Sequence, residues 1–387
     1  MTMQKAKPFV IAAVGCLILL AVAVLYYGSP LGMDGNADLS QLYTAGYMVR
    51  TGQSRLLYDF DLQRRIQTRV VSPEVVPLPF DHPAYEALLF APLAQLKYRS
   101  AYQALLFVNL ALLAICICFL WPRFTSLSAI WRPLPAAIVL CFLPIAITLM
   151  QGQDSILLLL LMVAALVSLE NEHEVLAGIF LGLGLFKFQF AIPIALLFTL
   201  WRRWRLVGGF TISGAVVGLI SVSVAGWAGT ANYVRLLLSL SSRLSTNAEH
   251  VKFGVYPWGM ANLRGLCFML FHFSARAGQL ATLLASLAAV IYLARKRGSF
   301  ELAVLAASLL SFHGLIHDMS VLVIPAGLML SDGLKELDSQ RIWLVAILLT
   351  LPSMLLLTGG RYFLLSIPMI AALIVVSNRW GQSSAVS

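Results

Sequence analysis

The fold is decided at residues 9–27, which read FVIAAVGCLILLAVAVLYY and carry no charge. This run approaches the ~20 residues that an α-helix needs to cross ~30 Å of hydrocarbon. The rest of the chain is similar, since 60% of its 387 residues are hydrophobic, 11% are charged and the mean hydropathy is +0.86. This composition excludes an ordinary soluble domain. Because backbone polar groups in lipid must be satisfied within their own segment, it predicts an all-α polytopic membrane protein.

The charges around this first run predict its orientation. Lys5 and Lys7 precede it, which by the positive-inside tendency places the N-terminus in the cytoplasm and the following loop outside. Residues 21–23 (AVA) have the small-x-small form of a signal-peptide cleavage site, so a cleaved signal is the alternative. The length of the run and the further apolar runs favour a retained first helix.

The remaining apolar runs predict a bundle of about ten transmembrane helices plus half-helices. The segment 175–201 holds Lys187 and Pro193 near its middle and is followed by Arg202, Arg203 and Arg205, so we expect two half-helices folded as a hairpin that returns these arginines to the cytoplasm. A second external loop is expected at 227–260, with a short re-entrant piece near 262–273. The other spans are predicted at 101–121, 133–150, 152–169, 206–226, 277–294, 300–313, 318–331, 341–357 and 362–377. No internal repeat is visible, so the whole chain, 1–387, is interpreted as one domain.

The longest polar stretch, residues 33–99, lies in the first extracytoplasmic loop, which we place at 28–100. It holds seven of the chain's seventeen acidic residues. Within it a short helix is predicted from Leu39 to Val49 with Asp38 as N-cap, followed by a segment broken by four prolines and an interfacial helix at 85–96. Such a concentration of acids beside a helix end favours chemistry there over a plain solvated connector.

Charge and cysteine content limit the partners. The net charge is +10, but the basic residues are scattered over short loops, which is typical of contact with anionic lipid headgroups rather than with nucleic acid. The five cysteines lie in or beside apolar runs and indicate neither a disulfide framework nor a zinc site.

The predicted topology brings polar residues together on the outer face. A carboxylate there can act as general base toward a hydroxyl, and cationic groups can stabilise a phosphate leaving group. Each residue also has a structural interpretation, such as helix capping for an aspartate or snorkelling for Lys187, although its position within an apolar run favours function. The candidates are Asp34, Asp38, Asp81, His82, Lys187, His317 and Asp318.

Several segments in the expected order resemble glycosyltransferase family 87, integral-membrane enzymes of the GT-C superfamily related to polyprenol-phosphate-mannose-dependent mannosyltransferases. DLSQLYTAG at residues 38–46 is similar to the first external loop of that family. DHPAYEALLFAPL at 81–93 is similar to its His-Pro-Pro segment, except that Ala84 replaces the second proline. Further similarities are QGQ at 151–153, Lys187 after GLGL, NLRG at 262–265, and His313 with His317 and Asp318.

The resemblance implies an inverting transfer of a sugar, with mannose as the default, from a polyprenyl-phosphate donor to a lipid or glycan acceptor on the extracytoplasmic face of the cell membrane. It implies that Asp38 is the general base, with Asp34 as the rival, and that no metal or other cofactor is needed. It further implies that the donor phosphate or the acceptor is held by Asp81, His82, Lys187, Arg264, His313 and His317, and that Asp318 orients His317.

Two other classes of function remain open from the residues. A transporter or flippase for an anionic lipid or sugar would also suit broken helices with a lysine near mid-membrane, but no paired repeat is present and the acids cluster outside. A non-catalytic scaffold is the third interpretation. Product formation that depends on a donor distinguishes the enzyme from both.

Overall fold

A computed structural model of the chain describes residues 3–242 and 257–382, and every regular element in these ranges is helical. The elements that precede the centre of the chain are α1 (Met3–Met33), α2 (Leu39–Arg50), α3 (Phe60–Val70), α4 (Ala84–Phe90), α5 (Tyr98–Leu120), α6 (Thr125–Ile130), α7 (Leu134–Cys141), α8 (Leu143–Gln151), α9 (Ser155–Glu170) and α10 (Glu174–Leu183). They are followed by α11 (Phe188–Leu200), α12 (Trp204–Ser242), α13 (Leu263–Leu270), α14 (Ala275–Ala294), α15 (Phe300–Leu310), α16 (Val323–Glu336), α17 (Ser339–Leu357) and α18 (Ser366–Gln382).

By length and composition the described residues include six helical segments apolar enough to cross a membrane, or seven if the bent pair α7 and α8 is one span. One of the six, Glu174–Leu200, is folded back on itself, as described below, and does not cross in a single straight pass. The pair bends by 56° next to Pro144, whose missing N–H weakens the helix at this point. Three further apolar helices are shorter, and α15, for example, has 11 residues. At 1.5 Å per residue it is far shorter than ~30 Å of hydrocarbon, so the expected count of about ten full spans is not confirmed.

The predicted hairpin at 175–201 is confirmed by the position of its two ends. Glu174 Oε1 at the beginning of α10 lies 2.6 Å from Arg203 Nη2, just beyond the end of α11. A straight helix of this length would separate those ends by ~40 Å. The chain turns through the 3₁₀ segment Gly184–Lys187, where Lys187 has φ −108° and ψ 58°, so Lys187 lies at the tip of the hairpin.

The first loop is folded rather than a simple connector. The predicted helix at its start is present as α2, and the interfacial helix expected at 85–96 is shorter, because α4 ends at Phe90 and a 3₁₀ turn follows. Between α3 and α4 the proline-rich chain forms no regular element. Its backbone is held by two buried glutamines of α3: Gln63 accepts from the N–H of Phe80, and Gln67 both accepts from and donates to Leu78. These bonds fix the segment that carries His82.

The expectation of a loop over 227–260 is only partly met. Residues 227–242 continue α12 as helix after a break at Gly226, whose φ of +71° is readily adopted only by glycine. The residues 243–256 lie outside the described ranges.

The two ends of the bundle differ in chemistry. One end carries the basic connections, where Arg123 pairs with Glu170 and Arg203 pairs with Glu174. The folded first loop, the turn between α8 and α9, and the segment before α16 meet at the other end, where hydrogen bonds join them. This second end holds the polar residues described next.

Candidate functional site

Asp38 is a partly exposed acid at the edge of a connected polar cluster. It occupies the N-cap position of α2, but its side chain accepts no capping hydrogen bond. Instead Asp38 Oδ2 accepts a hydrogen bond of 2.6 Å from Gln153 Nε2, and the side chain is 22% exposed. The capping interpretation of this aspartate is therefore wrong, because its carboxylate is turned toward the bundle.

Gln153 connects Asp38 to the tip of the hairpin. Its amide oxygen accepts from Lys187 Nζ at 3.1 Å, which leaves its amide nitrogen free to donate to Asp38. Lys187 is 3% exposed and also lies 3.3 Å from Asp154 Oδ1 and 3.2 Å from Asp318 Oδ1. A buried ammonium is tolerated here because two carboxylates and an amide surround it.

His317 and Asp318 form the third side of the cluster, in a 3₁₀ segment before α16. Asp318 Oδ1 accepts from Ser155 Oγ at 3.2 Å, while Oδ2 accepts from the backbone N–H of Leu315 at 3.3 Å. His317 Nε2 lies 3.5 Å from Asp318 Oδ1, and His317 Nδ1 lies 4.0 Å from Asp38 Oδ2. Asp318 thus both caps its own turn and connects His317 with Lys187.

His82 lies on the opposite side of the cluster, next to α4. Its Nδ1 is 2.8 Å from Glu86 Oε2 and its Nε2 is 3.4 Å from Asp81 Oδ1. The Tyr58 hydroxyl donates to the His82 carbonyl at 2.9 Å, and the ring of His82 stacks on Phe80. The ring is therefore held on its face, at its backbone and at both nitrogens.

Two fully buried carboxyl groups face each other beside His82. Burial raises the pKa of Glu86 to about 8, and the Lys187 charge opposes this shift. Burial likewise raises the pKa of Asp154 to about 7, with Lys187 opposing and Glu86 adding to the rise. Together with His82 they place one imidazole nitrogen and two carboxylate oxygens within 4.8 Å of one another, a set that can hold a metal ion.

Arg264 and His313 lie farther along the same face. Arg264 is 5% exposed, donates from Nη1 to the Phe312 carbonyl at 3.1 Å, and has its guanidinium 4.1 Å from the centre of the Phe312 ring. Burial lowers its pKa to about 10, so it remains cationic at neutral pH. Burial also lowers the pKa of His313, while Asp81 and Asp318 oppose that shift.

Asp34 does not join the cluster. Its carboxylate forms an exposed ion pair with Arg99 Nη2 at 2.7 Å. Among the described residues this carboxylate pairs with no other candidate. Of the two carboxylates considered for the base, the geometry therefore connects only Asp38 with the remaining candidates.

Sequence reasoning gave no role to three residues of the cluster, Glu86, Gln153 and Asp154. Glu86 follows His82 by four residues and lies in the first turn of α4, and this short spacing of an imidazole and a carboxylate is the sequence signal that points to it. Gln153 and Asp154 become recognisable only through their contacts with Asp38 and Lys187.

These features define an all-helical, multi-pass membrane protein with a buried ionic cluster beside the partly exposed carboxylates of Asp38 and Asp81. The sequence profile of Glycosyltransferase family 87 matches residues 80–325, well over half of the chain, and the chain belongs to that family. The match includes His82, Lys187 and His317, whereas Asp38 lies before it. No curated protein and no solved structure matches the chain significantly.

Proposed function

We propose that this glycosyltransferase moves a sugar, mannose by default, from a polyprenyl-phosphate donor to a hydroxyl of a lipid or glycan acceptor, with inversion at the anomeric carbon. The family supports glycosyl transfer. The many apolar helices suit a donor whose long prenyl chain remains in the lipid.

The single observation that carries the proposal is the environment of Asp38. One of its oxygens is occupied by Gln153, and the side chain stays partly exposed. A carboxylate fixed in this way can accept a proton from an incoming hydroxyl. Because Lys187 orients the Gln153 amide, the acceptor finds the base in one defined position.

The reaction is a single displacement. The acceptor hydroxyl gives its proton to Asp38, and its oxygen forms the new bond to the anomeric carbon. The bond between that carbon and the donor phosphate oxygen breaks, and its electron pair leaves with the phosphate. Attack from the face opposite the leaving group inverts the anomeric configuration.

Arg264 is our candidate for holding the donor phosphate, with His313 beside it. Among the described residues no carboxylate forms an ion pair with Arg264, so its charge is available to an anion. A guanidinium suits a phosphate because it donates two parallel hydrogen bonds. His317 is proposed to contact the sugar or the acceptor. His82, whose two ring nitrogens face Glu86 and Asp81, is proposed to support the site without touching the substrate.

We place the site on the extracytoplasmic side of the cell membrane. The opposite end of the bundle holds Arg123 and Arg203, and basic loops face the cytoplasm in most membrane proteins.

The test is sugar transfer by the purified protein from a panel of polyprenyl-phosphate sugars, with Asp38→Asn compared with the unchanged protein. The amide keeps the shape of the side chain but cannot accept the proton. We expect the transfer rate to fall by roughly 10²–10⁴-fold, with donor binding retained.

Asp34→Asn is the matched control, because Asp34 is an aspartate of the same loop that pairs only with exposed Arg99. It should transfer at close to the unchanged rate. If Asp38→Asn retained the full transfer rate and Asp34→Asn lost it, Asp34 would replace Asp38 as the proposed base. If no donor gave product while the protein moved labelled lipid between liposome leaflets, the transporter interpretation would replace the proposal.

A further inference from the structure

His82, Glu86 and Asp154 form a buried cluster whose composition is that of a metal site. His82 precedes α4, Glu86 lies on α4, and Asp154 lies in the turn before α9. One ligand atom from each comes within 4.8 Å of the other two. Glu86 is 0% exposed and the other two are buried as well.

The proposed ligand atoms of this cluster are buried polar atoms that form no hydrogen bonds with the described residues. Among the described residues, both carboxylate oxygens of Glu86, both of Asp154, and Nδ1 of His82 are buried without a hydrogen-bond partner, although the Lys187 ammonium lies 3.3 Å from Asp154 Oδ1 as an ion pair. His82 Nδ1 lies 2.8 Å from Glu86 Oε2, but the two atoms are not aligned for a hydrogen bond. Leaving such groups unpaired is costly, and the penalty is larger for charged groups. A cation bound between these groups would satisfy them all at once.

The surroundings of the cluster have the arrangement that supports metal ligands. An imidazole that binds a metal through one nitrogen commonly donates the other N–H to a carboxylate, and His82 Nε2 lies 3.4 Å from Asp81 Oδ1. The Tyr58 hydroxyl holds the His82 backbone carbonyl, and Lys187 holds Asp154 Oδ1 at 3.3 Å. Both flanking ligands are thus oriented by partners outside the cluster.

We propose that His82 Nδ1, Glu86 and Asp154 bind a divalent transition-metal ion, Zn²⁺ or Mn²⁺. One imidazole and two carboxylates suit these ions, whereas Mg²⁺ and Ca²⁺ prefer oxygen ligands alone. The charges are compatible, because two carboxylates balance a divalent cation and Asp318 already balances the nearby Lys187 ammonium at 3.2 Å. The ion has a structural task here, so this proposal does not depend on the sugar donor and leaves the expectation that the transfer itself needs no metal unchanged.

The ion would connect two parts of the chain that are distant in sequence. His82 and Glu86 belong to the folded first loop, and Asp154 belongs to the bundle. Bound metal would therefore join α4 to the turn before α9, next to Gln153, which holds Asp38. We expect its removal to loosen the first loop before it affects the rest of the fold.

The experiment measures metal content and thermal unfolding of the full-length protein in detergent. The protein is purified without chelator from cells supplied with zinc and manganese, dialysed, and analysed by elemental mass spectrometry. We expect about one ion per chain, since a buried site with three protein ligands binds tightly. Stripping with a chelator should lower the unfolding temperature, and adding back the same metal salt should restore it.

Variants assign the ion to the cluster. Glu86→Gln and His82→Gln should each remove most of the bound metal. Asp38→Asn is the matched control, because Asp38 is an aspartate of the same polar cluster that contacts Gln153 and lies outside the ligand set, so it should keep its metal. Glu74→Gln, an exposed change in the same loop, controls for the loop itself.

If the buried variants fail to fold, the metal content and unfolding temperature of the unchanged protein still test the proposal. Dialysed protein that holds neither zinc nor manganese, and whose unfolding temperature responds to neither salt, would overturn the proposal and leave a proton shared between Glu86 and Asp154 as the explanation. Equal metal loss in Asp38→Asn and Glu86→Gln would also overturn it, because the ion would then not be held by these three ligands.

Discussion

At the scale of single residues, Lys187 holds the cluster together. It contacts Gln153, Asp154 and Asp318 from the tip of the hairpin and is 3% exposed. Its sequence position inside an apolar run made it a functional candidate, and the structure places it in the centre of the other candidates. Part of its role is therefore to compensate the charges of buried acids.

We expect Lys187→Met to destabilise the protein strongly. Methionine fills a similar volume but leaves Asp154 and Asp318 without their cation, and breaking a buried ion pair in this way costs about 3–5 kcal/mol. Unfolding in detergent, followed by tryptophan fluorescence, measures the change.

Lys335→Met serves as the control for this prediction. Lys335 is 54% exposed and its nearest carboxylate oxygen, on Asp332, is 3.9 Å away. Removal of such a surface charge should change stability by about 0.5 kcal/mol or less. Similar effects of the two substitutions would contradict the central position of Lys187.

At the scale of helices, α10 and α12 approach each other closely enough to exclude side chains. A Cβ on Gly178 would lie 2.0 Å from the Leu206 carbonyl, and one on Gly209 would lie 2.1 Å from the Val175 carbonyl. Small residues at such contacts are common between membrane helices. This packing fixes the direction of α10 and, through it, the position of the hairpin tip.

Gly209→Ala should therefore separate the two helices and destabilise the protein by about 1–3 kcal/mol. Gly208 provides the control, since a Cβ there meets no atom within 4 Å. Gly208→Ala should be neutral or stabilising by up to about 1 kcal/mol, because alanine favours a helix over glycine. Thermal unfolding of both variants in the same detergent tests the difference, and equal losses would argue against the close contact.

At the scale of the whole molecule, the site and the basic connections occupy opposite ends of the bundle. We therefore expect single cysteines at the two ends to differ in accessibility from outside the cell. In a cysteine-free background, Glu74→Cys in the first loop should react with a membrane-impermeant maleimide in intact cells.

Arg132→Cys, in the exposed turn between α6 and α7, is the partner measurement. It should react only after the membrane is permeabilised. The reverse pattern would place the site on the cytoplasmic side and would remove the basis for an extracytoplasmic donor.

The sequence by itself determined the class of the protein, because composition and apolar run length act locally and leave only helices in lipid. It also predicted the helix after Asp38 and the break at Lys187, since helix propensity, prolines and charges act within a few positions, although the capping role given to the Asp38 side chain was wrong. The resemblance to Glycosyltransferase family 87, stated from short segments, is confirmed by the profile match.

Only the tertiary structure decided which polar side chains contact one another. Gln153 and Asp38 are 115 residues apart, and Ser155 and Asp318 are 163 apart. Whether they meet depends on the packing of helices and on the folded first loop, which no local pattern encodes. The same packing separated Asp34 from the cluster and buried Glu86 beside His82. The preference for Asp38 over Asp34 as the proposed base thus follows from packing, and so does the candidate metal site. The membrane class follows from composition.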